Sequence, residues 1–384
     1  MKHKIRLWQA LLAGANAVCL TAALILTAVG GSCAKSRQYD RAAEDWSGGQ
    51  GGYSQISCFL TEDSGFKENS IGAVRAGLIS ALREASISPE EGKTLVPDAY
   101  SAEVGTSTVK AAKTRSEAKI TAVAGHFFLF RSFRLLSGSY LSDDLVMQDG
   151  AVIDSELAFD LYGSTDVAGM DIFIDGEKFY VSGVVEAPTD KADKKCAGKT
   201  RRAYITYEGA STISGSSSYS DPSSSSDYSD YSDYSDYAPA AGFDKVTCYE
   251  CIVPDPVKNL AKNSVKKQFE SYEDNCELVV NSTRYDSRKL AKAFGKLSSL
   301  AVREKPIVLP FWENASRMTE VKLSFIYFAR RLTLIIPILT AAGALIWGYV
   351  LWQRNKQRLL KKAGKALRGL RKRAGALKQK KDHI

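Results

Sequence analysis

Ala151–Val185 reads AVIDSELAFDLYGSTDVAGMDIFIDGEKFYVSGVV, and this stretch decides the fold. Ala151–Asp154 is short, branched and apolar, which predicts a strand. Ser155 follows as a helix cap, the helix runs through Tyr162, and Gly163 ends it. Met170, Ile172 and Ile174 then alternate with Asp171, Phe173 and Asp175, the period of a half-buried strand. Asp175-Gly176 is a strong hairpin signal, and Lys178–Val185 is the returning strand. Strand, helix and hairpin in so few residues predict a mixed α+β unit.

Reading outward extends that unit. Ile120–Ala124 predicts a short strand, and Phe127, Phe128, Phe130 and Phe133 form an aromatic cluster best read as core packing. Upstream, apolar residues at 71, 74, 78 and 82 predict a surface helix over Ile71–Leu82 that stops near Pro89. Residues 30–55, rich in Gly, Ser and Gln, read as loop or weak strand. Downstream, Val246–Val253 reads as a strand. Asp255 and Pro256 are placed to cap a helix reaching Tyr272 with Val257, Leu260, Ala261, Val265 and Phe269 on its buried stripe. Glu277–Asn281 returns as a strand, and another helix follows from Asp286 to about Val302. This order predicts helices on one face of a sheet. Residues 214–239 interrupt it with four consecutive Ser-Asp-Tyr triplets from Ser226 to Tyr237. That composition cannot bury a core and predicts an exposed, disordered insert.

The charge of the 384-residue chain is unevenly placed. Its 52 Lys and Arg exceed its 43 Asp and Glu by nine. Residues 1–6 carry Lys2, Lys4 and Arg6, and residues 353–384 carry 13 bases against Asp382 alone, leaving 36 bases and 42 acids between them. An acidic middle without a reading motif does not support a nucleic-acid-binding domain. Next to each basic end lies an uncharged apolar run. Leu7–Val29 is long enough at ~1.5 Å per residue to cross a ~30 Å hydrocarbon layer. A cleaved signal peptide is the alternative, with a shorter apolar core, and Cys33 after Gly30-Gly31-Ser32 offers a faint lipidation signal. Leu332–Trp352 is the second run, with Trp347, Tyr349 and Trp352 at its later end, where amphipathic rings fit the headgroup level. Pro337 removes one helical hydrogen bond early in it and predicts a local kink. Basic flanks stay in the cytoplasm. The reading is therefore residues 1–6 inside, 7–29 a span, 30–331 outside, 332–352 a span, and 353–384 a basic cytoplasmic tail. Leucines and alanines of that tail recur every three or four residues among its lysines and arginines, which predicts a helix on an anionic membrane surface. A solvated, orientation-holding tail is the plainer reading.

Catalytic signals are sparse. The histidines are His3, His126 and His383, too scattered for a paired-histidine metal site, and His126 reads as structural. Glu186 and Asp190 have nothing that singles them out as an acid–base pair. Ala197-Gly198-Lys199-Thr200 imitates the end of a phosphate loop, but Asp193 stands where the loop needs its first glycine. The sequence thus indicates no catalytic, cofactor-binding or metal residues and no cofactor, so a non-enzyme is expected. Seven cysteines remain. Cys19 lies in the first span, and Cys33, Cys58, Cys196, Cys248, Cys251 and Cys276 fall outside, where up to three disulfides are expected. Cys248-x-x-Cys251 has a redox or metal reading too, but it sits in a predicted strand rather than at a helix start.

The ordered pieces between Ile120 and Pro188 resemble the extracytoplasmic core domain of MacB-type ABC transporter permeases, in the MacB/FtsX-like superfamily. They are Gly125-His126-Phe127-Phe128, Leu135-Leu136-Ser137-Gly138, Ala151-Val152-Ile153-Asp154, Leu161-Tyr162-Gly163, Asp166-Val167-Ala168-Gly169 and Phe179–Val185, with Tyr204–Tyr207 as the strand that follows. The resemblance implies an external domain of two subdomains, further spans carrying the permease fold, and a cytoplasmic ATPase partner. Here the usual three later spans shrink to one, and the chain has no ATPase motif. The function implied is a non-enzymatic, permease-like membrane subunit or accessory protein, with an ABC ATPase and a further permease subunit as partners. A membrane-anchored sensor or adhesion module, independent of any ATPase, is the alternative.

Overall fold

The computed structural model describes residues 2–88, 94–142, 148–216, 242–296 and 305–381. The Ser-Asp-Tyr triplets, Pro89 and the end of the helix expected after Asp286 lie outside the described residues. In chain order the helices are α1 (Lys2–Lys35), α2 (Ala42–Trp46), α3 (Ile71–Glu84), α4 (Phe127–Phe130), α5 (Ser155–Tyr162), α6 (Lys191–Ala197), α7 (Tyr207–Ser216), α8 (Leu260–Gln268), α9 (Ser287–Ala293) and α10 (Phe311–Lys381). The strands are β1 (Tyr53–Leu60), β2 (Asp98–Lys110), β3 (Arg115–Gly125), β4 (Leu135–Gly138), β5 (Gly150–Asp154), β6 (Asp171–Ile174), β7 (Glu177–Val185), β8 (Arg201–Ile205), β9 (Cys248–Pro254) and β10 (Cys276–Val280). Two compact units result, Met1–Gly30 with Ile326–Ile384, and Gly31–Phe325.

The larger unit is built on one ten-stranded sheet in the order β10-β1-β9-β2-β3-β8-β5-β7-β4, with β6 pairing both β2 and β7. Because of that double pairing, β2, β3, β8, β5, β7 and β6 close on themselves as a ring. Strand β2 belongs to two neighbourhoods. Its Asp98–Ser101 half pairs β9, and its Val109–Lys110 end pairs β6, with a register shift between Glu103 and Gly105. A bulge of that kind bends and twists a strand enough to let it leave one partner for another.

The Asp175-Gly176 turn has positive φ at both residues, +50° and +96°, as a two-residue hairpin of the favoured hand requires. Glycine is also needed where β4 meets β7. A Cβ on Gly138 would stand 2.2 Å from the Ser182 carbonyl oxygen, and one on Gly183 would stand 2.3 Å from that of Ser139. Helix α3 buries Ile71, Val74, Leu78 and Leu82, the four residues of the sequence stripe.

Several expectations need correction. Asp154, not Ser155, caps α5, its Oδ1 accepting from the Leu157 N–H at 2.7 Å. Ser155 Oγ instead accepts from the Ala187 N–H. Helix α8 starts at Leu260 after a left-handed Asn259, so Val257 is exposed rather than on the stripe. Asp255 still reaches the helix, its Oδ1 accepting from the Ala261 N–H at 3.2 Å. The expected loop over 30–55 is interrupted by the last turns of α1 and by α2. Helices cover both sheet faces, not one. Those of α3, α5, α7 and α8 pack on the face of Ile56, Ile120 and Ile153, while Ala42, Ala43, Phe127, Phe130 and Trp312 pack on the face of Val123, Val152 and Ile252. The sequence of β9 carries the reason. All seven of its residues are buried, which is what a strand sandwiched on both sides shows.

The expected disulfide framework is absent too, since all seven cysteines are free thiols. Cys248 and Cys251 sit an odd number of residues apart on β9 and enter different clusters on opposite faces, so they cannot bridge.

Leu7–Lys35 and Phe311–Lys356, most of whose residues belong to the smaller unit, bound the two helices long and apolar enough to cross a membrane, with mean hydropathies of 2.0 and 2.1. Helix α10 continues through Pro337. Within the smaller unit Thr340 Oγ1 donates to Asn16 Oδ1 at 2.8 Å, and Tyr327 fills the space over Gly30, where a Cβ would come within 2.7 Å of its ring. Small residues that admit a ring and polar groups that bond across are the usual adhesives between apolar helices.

Candidate functional site

The most unusual chemistry of the larger unit is a buried charge hub. It assembles where residues 37–46, which follow the first apolar helix, meet Phe311–Glu320, the start of α10. Arg37 is fully buried. Its Nη1 donates to Asp193 Oδ1 of α6 at 2.9 Å, and its Nη2 reaches the Trp312 carbonyl and Ser316 Oγ, both at 3.3 Å. Asp40 accepts from Tyr285 Oη at 2.5 Å and from Ser316 Oγ at 2.6 Å. Arg284, just past β10, forks onto Glu313 with two 2.7 Å bonds, reaches Glu320 at 2.9 Å, and lies 3.6 Å from Asp40. Arg317 bridges Glu313 to Glu277 of β10.

The hub continues into the sheet. Asn281 donates to Ser57 Oγ at 2.7 Å, Ser57 donates to Glu250 at 2.5 Å, and Arg131 donates to the other oxygen of Glu250. The Arg131 guanidinium also lies 4.6 Å from the Trp312 ring centroid, a cation–π contact between the aromatic loop and α10. Gln55 closes the other side. Its amide accepts from the Ala42 N–H at 2.9 Å and donates to the Tyr39 carbonyl at 2.8 Å.

Burial and charge set the protonation. Desolvation pushes the Asp193 and Glu320 carboxyls up, and their arginine partners oppose it. Burial alone would lower Arg284, yet Glu313 and Asp40 hold it well above its ordinary value, so it stays charged. Burial pushes Tyr39 up to about 12. The hydroxyls of Ser57 and Ser316 donate to carboxylates with no histidine between, so no activated nucleophile forms there. Forked arginine–carboxylate pairs of this kind fix direction as well as distance.

Residues singled out from sequence lie elsewhere. His126 is exposed, with Nδ1 3.3 Å from the Asp98 carbonyl oxygen. The carbonyls of Ala197 and Thr200 accept from Arg202, and that of Lys199 accepts from Arg201, so this turn presents oxygens to cations rather than N–H groups to a phosphate. Asp190 caps α6 and lies 3.5 Å from Arg37, on the rim of the hub. The Phe cluster is core packing around Tyr204 and Trp312. Among the described residues no group of His, Cys, Asp and Glu has a metal-holding arrangement. The hub itself was not read from the sequence. The available signal was Gln55, Ser57 and Glu250 inside otherwise apolar strands, where buried polar groups need partners.

One mixed α+β domain lies in the chain between two helices long and apolar enough to cross a membrane, and that arrangement defines the class. The profile of the MacB-like periplasmic core domain matches residues 53–231. That stretch, a little under half of the chain, is thus similar to the MacB-like periplasmic core domain. The fold is similar to the periplasmic region of MacB from Actinobacillus actinomycetemcomitans, at 14% identity over 61% of this chain and 92% of that one, with a TM-score of 0.37. It is also similar to the extracellular domain of the ABC-type transporter YknZ from Gram-positive bacteria, at 11% identity over 59% of this chain and 99% of that one, with a TM-score of 0.37. No curated protein matches.

Proposed function

We propose that this chain is a non-enzymatic, permease-like subunit or accessory protein of a MacB/FtsX-like ABC system. Its extracytoplasmic domain is coupled to a cytoplasmic ABC ATPase and a further permease subunit. The observation that supports this reading is the hub. Arg37, which follows the first apolar helix, and Ser316, near the start of α10, are in direct contact at 3.3 Å, and Arg37 is also paired with Asp193 of α6. The domain's entering and leaving segments are thereby held to each other. Residues 7–29 and 332–352 are the spans of the proposal, residues 30–331 lie outside, and both basic ends face the cytoplasm by the positive-inside bias. The tail, residues 353–384, lies against the anionic inner leaflet.

Purification of the intact complex from its own membrane in mild detergent tests the partnership. An ABC ATPase and a second permease chain are expected to co-purify. Recovery of the chain alone would support a free-standing sensor instead. Orientation is tested by labelling engineered cysteines in intact cells. A site at Ser223 is expected to react and one at Gly369 to stay protected until the membrane is broken; the reverse pattern overturns the topology.

A further inference from the structure

Strand β10 is the outer strand of its sheet, pairing β1 on one side. In that pairing Leu60 faces Cys276 and Cys58 faces Leu278, so the two cysteines lie one diagonal step apart on the same sheet face. Each thiol bears on the other's titration: Cys276 adds to the rise that burial gives Cys58, and Cys58 lowers Cys276. Cys58 has no exposure, whereas Cys276 retains 8 % and lines a surface cavity of about 270 Å³ with Phe269, Leu278 and Lys305. Lys305 Nζ donates to the Cys276 carbonyl oxygen at 2.7 Å, which brings its charge to the mouth of that cavity.

We propose that Cys276 and Cys58 are a redox-exchange pair, closed into a reversible disulfide by small-molecule disulfides that reach Cys276 through this cavity. The polarity of the pair fits the division of labour. The neighbouring Cys58 thiol, aided by the Lys305 charge, lowers the Cys276 thiol, while burial raises Cys58. Cys276 is therefore the attacking sulfur and Cys58 the resolving one. The Cys276 thiolate attacks one sulfur of the incoming disulfide, whose S–S bond breaks and whose departing thiolate takes a proton. The Cys58 thiol then loses its proton and attacks the Cys276 sulfur, and the second small thiol leaves. Two protein thiols and one disulfide become one protein disulfide and two thiols, with two electrons passing to the oxidant.

The other cysteines do not share these properties. Cys251 lies one diagonal step from Cys58 on the β9 side but is fully buried. Cys248 is on the opposite face. Bond formation would fasten the outer strand to β1 just ahead of Asn281 and Arg284, so the thiol state reaches the hub through five residues of strand. This is a switchable contact and not the structural framework the cysteine count suggests.

The full-length protein in mild detergent, equilibrated across a glutathione redox series and mapped by differential alkylation, decides the matter. Cys58 and Cys276 are expected to lose alkylation together, with a two-electron dependence, to yield a linked 58–276 peptide, and to recover fully with dithiothreitol. Cys58→Ser should leave Cys276 as its glutathione adduct, and Cys251→Ser should leave the 58–276 link unchanged. Both thiols staying alkylatable in the wild-type protein at the oxidised end, or a 58–251 link, overturns the proposal. The wild-type arm does not depend on any variant folding.

Discussion

The two halves of the sheet are held in different ways. The ring of β2, β3, β8, β5, β7 and β6 is filled by Ile120, Ile153, Val181 and Ile205 and covered by Leu157 and Leu161 of α5. The β10-β1-β9 half has an apolar face as well, but its other side carries Gln55, Ser57 and Glu250 into the hub. The ring gains stability from removing apolar surface from water, at roughly 25 cal/mol per Å², and any close-packed set of similar volume would serve. The hub gains little net energy from its ion pairs, because desolvation offsets much of the attraction. What it gains is direction. Each arginine accepts few alternative placements once its forks are filled, so the segments at 37–46 and 311–320 are fixed relative to the strands.

The strongest way to break that contrast is Arg284→Ala. Glu313, Glu320 and Asp40 would lose their shared cation while remaining buried, and a loss of about 3–5 kcal/mol is expected. Urea unfolding of the detergent-solubilised protein measures it, and hydrogen exchange should show residues 37–46 and 311–320 loosened before the ring. Uniform loosening of ring and hub would mean that the two halves are one cooperative block.

Asp154 sharpens the comparison by placing a charge inside the ring. Burial raises its carboxyl to about 6, and the N–H groups of Leu157 and Arg202 pull the other way. The folded state therefore holds a proton that the unfolded chain releases above the ordinary carboxyl value. The stability from this group is full below about pH 4 and falls as pH rises through about 6, by about 3 kcal/mol for a shift near two units. Asp193 and Glu320 titrate with the same sign, so Asp154→Asn should flatten the slope of stability between pH 4 and 6 without abolishing it. Unfolding midpoints at several pH values check this; an unchanged slope would mean that Asp154 stays ionised.

The smallest expected effect is local. Gly176→Ala forces a side chain into the positive-φ turn of β6 and β7 and should cost about 1–2 kcal/mol, read as a lower melting temperature with the hub's exchange protection unaltered.

The same contrast explains what the sequence made legible. Ile71, Val74, Leu78 and Leu82, the Asp175-Gly176 turn and Gly163 are local signals, each readable within a few residues. The ring's hairpin and helix were visible for that reason. Strand β2 was not read, because Gly105 breaks its alternation at the bulge and its two halves face different partners. The hub was less visible still. Arg37 meets Asp193 across 156 positions and Asp40 meets Ser316 across 276, and each residue taken alone looks like an ordinary solvated charge. Nothing in a linear reading pairs them. The cap of α5 failed on a finer point, since Asp154 and Ser155 are both good caps and only the neighbouring β8 backbone, whose Arg202 N–H donates to Asp154 Oδ2, selects the first.

The contact between Arg37 and Ser316 also has a modular consequence. A domain whose first and last segments touch can be spliced into a host chain without forcing the host's flanking pieces apart. The unit Gly31–Phe325 is such an insert. Replaced by a short polar turn, it should leave a two-helix hairpin able to form; moved between two other neighbouring helices, it should fold with its own core intact.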